Sequence, residues 1–496
     1  MIIHQITNNL TENVHLLQMR FATSADINMH QFDLILTDHS RVTVLSISVQ
    51  SLIDLNQIHT NVIEPMIQQP FSSRENLIQE IQQRIFIKNG TSYTQLEPCL
   101  EQVVQGGVAF FFDGLSRALV ISAPGTPARS IEEPSTEATI RGSHEGFVES
   151  ISTNMALIRK RIKDARLRFQ SVTIGTLTHT QVVVAFIDGL TAPAMIHTAL
   201  QKLQQIKVDS INSSGDIEQM IEADPWTIFT TVGNTEKPDR AAALLAEGRI
   251  LILVDGDPTI LYGPHLFIEA FQSPEDYSSR PYYVSFIRLL RFISFFISIY
   301  TPALFIAALN FHKEMIPVAL LPNFQGANEK APFPIVFEIV VMLVMFEVVR
   351  EAGVRLPKTV GSAVSIVGAL ILGQVSVQAG LVSAPSIIVV AVSVIASFLL
   401  TPIADVVSLL RIFNLIAVSI FGLFGLFMVT VATITHMVTL RSLGVPYMAP
   451  IAPLHFRDWK DTLVRVSVRL NKMRPESIPT LQPKRIDHLP RDEKNP

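Results

Sequence analysis

Between Tyr282 and Leu440 this chain becomes strongly apolar, whereas the residues up to Arg280 are mixed and those from Arg441 onward are polar and basic. A chain with such a break folds in two solvents. It predicts a soluble amino-terminal region joined to a helical domain bathed in lipid. Five apolar segments run Phe292–Leu309, Phe333–Val349, Thr359–Ala379, Ile387–Leu400 and Ile412–His436. Segments of about 17–25 residues match a hydrocarbon core of about 30 Å. The fourth is short unless Val382–Pro385 and Thr401–Pro402 extend it, and Pro302 is expected to kink the first.

The soluble part carries a recurring unit. Val108–Gly114, Val183–Gly189 and Leu251–Gly256 are β-prone runs that each end in Asp-Gly, a pair suited to the positive φ of hairpin turns. An acidic site built from Asp113, Asp188 and Asp255 is conceivable, but turn chemistry explains them better. Glu145–Ile162 has one apolar helical face and a basic end, Arg159 to Lys163, read as a solvated face rather than a phosphate site. Three prolines and no periodicity mark 123–142 as a linker. The expected architecture is a cytoplasmic α/β region of two lobes followed by an α-helical multi-pass membrane domain. Its parts are lobes at 1–122 and 143–275, a transmembrane domain at 282–440 and a basic cytoplasmic tail at 441–496.

Positive charge argues orientation. Arg280, Arg288 and Arg291 flank the first segment, and Arg350, Arg355 and Lys358 lie between the second and third. From Arg441 onward eleven Lys/Arg stand against six Asp/Glu. All three regions favour the cytoplasm, yet five full crossings would strand the tail outside. Either the last segment, interrupted by Gly422 and Gly425, dips and returns, or another segment lies in the interface.

Composition narrows the chemistry. Charged residues make up 17% and hydrophobic ones 48%, and the net charge of −4 gives no footprint for nucleic acid. The single cysteine, Cys99, excludes an intrachain disulfide and reads as a small buried hydrophobe. The N-terminus shows no basic region followed by an apolar core, so no cleavable signal is expected. Phosphate-loop, dinucleotide, zinc-protease, paired-cysteine and serine-hydrolase motifs are missing from the sequence, so neither catalysis nor a cofactor or metal is expected.

Polar residues inside the apolar block are the candidate site. Glu338 and Glu347 lie nine residues apart, on opposite sides of one helix and about 13 Å apart along it. Glu338 suits either an ion path or a structural pairing. Glu347, Arg350, Glu351, Arg355 and Lys358 form a charged cytoplasmic elbow into the third segment. There Ser362, Ser365, Ala369, Gly373 and Ser376 fall three or four apart in one small, weakly polar stripe. Such a stripe serves close helix packing or lines a water path, with Val364, Val367 and Leu370 or Ile371 as apolar constrictions.

The runs Arg350–Pro357 and Ser365–Gln374, with Gly361 between them, resemble the A subunits of GerA-type spore germinant receptors. So do Arg141–Phe147, Asn154, Leu157–Arg161, Thr235–Asp239, Gly248–Gly256, Glu275–Tyr277, Pro332–Pro334 with Glu338, and Gly444–Tyr447. The likeness spans roughly 106–475, while the first hundred residues carry little of it. Lys237 in place of Arg, Ser143 in place of Pro, and the reordered Ala384-Pro385 are departures. The resemblance implies a nutrient-responsive receptor subunit in the inner spore membrane that works with B and C subunits. It further implies a homo-oligomeric, ion-conducting ring that starts germination. A non-conducting scaffold and the related accessory protein of dipicolinic acid release are the alternatives.

Overall fold

The computed structural model describes residues 4–485 apart from 22–23, 86–89, most of 123–141, most of 320–331, 357–359, 362–367, 369 and 468.

The first lobe is a five-stranded antiparallel sheet of β1 (Ile27–Ile35), β2 (Arg41–Val49), β3 (Gly90–Tyr93), β4 (Gly107–Phe112) and β5 (Ala118–Ser122), in the order β1-β2-β4-β5-β3. Helices α1 (Leu10–Phe21), α2 (Leu77–Arg84) and α3 (Leu96–Val103) cover it. Strand β4 reads Gly-Val-Ala-Phe-Phe-Phe without a polar break because both of its faces are buried. Phe110 and Phe112 pack toward Leu77 and Ile81, and Ala109 and Phe111 toward Leu17 and Leu100. Alternation along a strand sends neighbours to opposite cores.

The second lobe repeats this plan. Strands β6 (Leu167–Ile174), β7 (Thr180–Ile187), β8 (Gly233–Thr235), β9 (Ile250–Val254) and β10 (Ile260–Gly263) are ordered β6-β7-β9-β10-β8, the first sheet's order shifted by five strands. Its helices are α4 (Ile151–Arg161), α5 (Pro193–Gln205), α6 (Ser214–Ile221) and α7 (Pro238–Ala246). Every pairing within both sheets is antiparallel, so each lobe mixes helices with an antiparallel sheet, without parallel β-α-β crossovers among the described residues. The duplication explains the recurring Asp-Gly. Asp113-Gly114 turns β4 into β5, and Asp255-Gly256 turns β9 into β10 at the equivalent place. The hairpin expectation fails at Asp188-Gly189. Gly189 also has a positive φ, of 71°, but β7 leads there into α5.

The basic end of α4 departs from its solvated reading. Arg159 is fully buried and bonds Asp26 of the first lobe at 3.0 and 2.7 Å, while Lys160 and Arg161 pair with Glu145. Backbone and hydroxyl bonds from Ala25 to Phe169 and from Phe169 to Ser24 complete this seam between the lobes.

Four longer helices follow: α8 (Pro281–Asn310), α9 (Ile335–Arg355), α10 (Ala384–Phe398) and α11 (Ala404–Thr439). Among the described residues two stretches are long and apolar enough to cross a membrane, Pro281–Asn310 and Thr401–Thr439. Helix α8 is continuous through Pro302. The fourth apolar segment begins earlier than Ile387, with Ser383 as the N-cap of α10 and Pro385 in its first turn. The fifth likewise starts at Ala404 rather than Ile412.

That last helix is a hairpin. Gly422 has φ 58° and ψ −144°, and a Cβ on Gly425 would lie 2.2 Å from the Ala417 carbonyl oxygen. Eight residues of straight helix would separate those positions by about 12 Å. Both arms lie along α8: Arg411 bonds Ser298, and Thr430 Oγ1 is 3.1 Å from the Tyr300 hydroxyl. Val406 and Met437 therefore share one apolar cluster with Phe267 and Phe271 of the second-lobe end.

The basic tail is a strap on the second lobe. Thr480 bridges Thr191, Arg485 pairs with Glu247, and Arg474 donates to the Ala246 carbonyl. The tail thus lies on the same side of the helices as the lobe.

Candidate functional site

Pro302 has no N–H, so the Ser298 carbonyl one turn earlier loses its helical donor. Two residues from other helices fill the place. Ser393 Oγ donates to that carbonyl at 2.7 Å and Arg411 Nε at 3.1 Å, while Arg411 Nη2 reaches Ser298 Oγ at 2.8 Å. An unbroken α8 and a buried arginine are thereby parts of one arrangement. Residue-level reading missed this pairing; the signal was a proline in an apolar helix whose freed carbonyl needs a donor.

Glu338 is buried against α10. Its Oε2 accepts from the Ser383 N–H at 3.1 Å and from Ser386 Oγ at 2.9 Å, and Ser383 and Ser386 bond each other at 2.8 Å. The carboxylate therefore sits at the N-terminus of α10, where exposed N–H groups and the helix dipole favour negative charge. Its Oε1 is buried without a hydrogen-bond partner among the described residues.

The charged elbow resolves into pairs. Arg350 binds Glu347 at 2.7 Å, Arg355 binds Glu351 at 2.5 Å, and Ser408 Oγ donates to Glu347 at 2.7 Å. Glu338 and Glu347 lie apart, one against α10 and the other against the start of α11. Between α9 and α11 a cleft of about 1060 Å³ opens, polar at the Glu347, Ser408 and Arg411 end and apolar beyond Leu343 and Ile416.

Of the third-segment residues, Lys358, Ser362, Val364, Ser365, Val367 and Ala369 lie outside the described residues. On the described part, Gly361 and Gly368 approach α9: a Cβ at Gly361 would meet the Gly353 carbonyl, and one at Gly368 would meet Val349. Ile371–Val375 forms a π-helical turn, and Ser376 Oγ donates to the Ile371 carbonyl at 3.3 Å. Gly373 has open space where its Cβ would be.

Where the second lobe meets α8, charge is buried densely. Arg288 is fully buried, bonding Asp276 at 2.9 Å and Asp461 of the strap at 3.0 Å, and Arg291 also bonds Asp276. Arg465 donates to the Asp276, Tyr277 and Ser279 carbonyls. Deeper in the lobe, Arg249 pairs with Glu269, whose second oxygen accepts from Tyr262. Burial alone would raise the Glu269 carboxyl, but Arg249 and His265 outweigh it and hold it well below the usual range. Burial pushes the Cys99 thiol up to about 12, consistent with an inert core cysteine. Asp113, Asp188 and Asp255 are dispersed over two lobes and form no shared site; Asp255 accepts from the Ile151 N–H. Lys237 and Ser143, two of the three departures noted above, touch each other, with Lys237 Nζ donating to the Ser143 carbonyl at 2.8 Å.

Residues 15–477 match the family described as Bacillus/Clostridium GerA spore germination protein, and the chain belongs to that family. It is 40% identical to spore germination protein KA of Bacillus subtilis (strain 168), over 95% of this chain and 87% of that one. It is 36% identical to the uncharacterized membrane protein YfkQ of the same organism, over 93% and 89% of the two chains. Spore germination protein GerLA of Bacillus cereus is 34% identical over 86% and 88%. The crystal structure of the N-terminal domain of the A subunit of the Bacillus megaterium spore germinant receptor GerK3 aligns at 28% identity with a TM-score of 0.43, covering 54% of this chain and 99% of that one.

Proposed function

We propose that this chain is the A-type subunit of a nutrient-responsive germinant receptor that acts with B and C subunits. In this reading its lobes and strap face the cytoplasm, and several copies assemble in the membrane around an ion path lined by the third segment. In the same reading α8, α9, the third segment, α10 and the two arms of α11 each cross once, which makes six passes. An even number returns the basic strap to the lobe side, which removes the conflict between parity and charge.

The observation that carries the conducting reading is the turn at Ile371–Val375. A π-helical turn inside an apolar helix often marks a functional position, and Gly373 there faces open space. Gly361 and Gly368 face α9 instead, so packing and an open side divide the segment between them. Ser362, Ser365, Ala369, Gly373 and Ser376 then border the path, with Val364 and Val367 as the dewetted constriction.

Reconstitution of the receptor in liposomes tests this. Val364→Ala or Val367→Ala should raise ion leak and cause premature germination of spores carrying it. No flux from an intact assembly, with dormancy unchanged in both variants, would leave a scaffold or signal-relay subunit in place of a channel.

A further inference from the structure

The cleft between α9 and α11 carries a buried guanidinium that, among the described residues, has no ion-pair partner. Its lobe-side end is lined by two arginines and two glutamates, Arg355, Arg411, Glu347 and Glu351, with Arg350 just outside it. Arg350 takes Glu347 and Arg355 takes Glu351. Arg411 is left over. It is only 2% exposed, and its Nε and Nη2 are spent on Ser298. Among the described residues no acidic side chain pairs with it, and Nη1 has no partner. A buried, unpaired cation is costly in a medium of low dielectric. The site therefore calls for an anion from outside the chain.

The cleft also says what the anion is attached to. Arg411 is part of its wall, and away from that end the walls become Leu343, Val340 and Val336 on one side and Leu415, Ile416 and Ile420 on the other. From Glu347 to Val336 the apolar run is about 17 Å long. The third segment does not compete for this space at its described contacts. Val349 and Gly353, which it meets, lie about half a turn around α9 from the cleft residues. One charged end and one long apolar end fit an amphiphile.

We propose that this cleft binds an anionic phospholipid of the lobe-side leaflet, with its phosphate on Arg411 Nη1 and an acyl chain along α9 and α11. The assignment goes beyond the ion-path reading and holds whether or not copies of the chain conduct.

The test uses the full chain in mixed phosphatidylglycerol and phosphatidylcholine vesicles, with retained lipid counted by native mass spectrometry after extraction. Wild type should retain phosphatidylglycerol over phosphatidylcholine. Arg411→Gln should weaken that retention about tenfold or more, the value of a charge-assisted hydrogen bond, and Arg411→Lys should restore most of it. Ile416→Trp keeps Arg411 and fills the apolar end, so it should abolish the preference without touching the charge. Equal retention of the two lipids by wild type, or an unchanged preference in Arg411→Gln, overturns the proposal. So does a cross-link formed by Ile416→Cys to a second copy with lipid retention unaffected, which would make that copy the occupant.

Discussion

Arg411 Nε donates at 3.1 Å to the Ser298 carbonyl, the acceptor that Pro302 leaves without its helical donor. The two residues are 113 positions apart. Their bond lets α8 stay continuous through a proline and ties it to the first arm of the α11 hairpin.

If that bond exists because of Pro302, the two positions are coupled. Arg411→Gln should cost about 1–3 kcal/mol, the penalty for disturbing a buried polar pair. Pro302→Ala restores an N–H one turn after Ser298. In that background Arg411→Gln should cost about 1 kcal/mol less. Unfolding of the detergent-solubilised chain for the four members of the cycle checks this, and strict additivity would refute it.

Asp26 and Arg159 join the lobes with both side chains fully buried. Arg159→Ala strands a buried carboxylate and should cost about 3–5 kcal/mol. Replacing both residues, Asp26→Leu with Arg159→Met, should recover most of that loss, because an apolar pair needs no counter-charge. Urea unfolding of the full chain, followed through exchange of the Phe169 amide at the seam, reports it.

Gly422 closes the hairpin in a backbone region where a side chain is strained, and a Cβ there would sit 2.9 Å from Phe311. Gly422→Ala should therefore cost at least about 1–3 kcal/mol. Phe311→Ala should relieve the clash but not the backbone strain, so the double variant recovers only in part. Thermal unfolding together with limited proteolysis near 422 measures both.

Glu218 gives the second lobe a pH dependence. Burial, followed by the neighbouring Glu222, pushes its carboxyl up to about 7 from 4.5. A raised carboxyl binds its proton more tightly in the folded state, so this group's contribution is fully present below about pH 4.5 and is lost as pH rises through about 7. Glu218→Gln should flatten that fall. Melting wild type and variant at pH 5 and pH 8 gives the difference, and parallel curves would exclude it.

Much of the molecule was legible in the residues. Val108–Phe112 and Leu251–Val254 read as strands because period and β-branching are local properties. Of the two ways out of the parity conflict, a return of the last segment near Gly422 and Gly425 or another segment lying in the interface, the hairpin at Gly422 matches the first. Glu347, Arg350, Glu351 and Arg355 were read as a cluster because i,i+3 and i,i+4 neighbours share a helix face. Arg159 was misread for the opposite reason. Its partner, Asp26, lies 133 residues away, and no local pattern distinguishes a solvated basic turn from one that closes on another lobe.

The sequence by itself determined what each segment could be: strand, helix or turn, apolar or wet, and membership of the family through its ordered motifs. Those properties depend on neighbours within a few residues. Only the tertiary structure decided which buried charges have partners. It paired Glu338 with the N-terminus of α10 and Arg411 with Ser298, and folded the strap back onto the second lobe. Pairing of buried polar groups is a long-range condition, set by which helices meet rather than by what either helix contains.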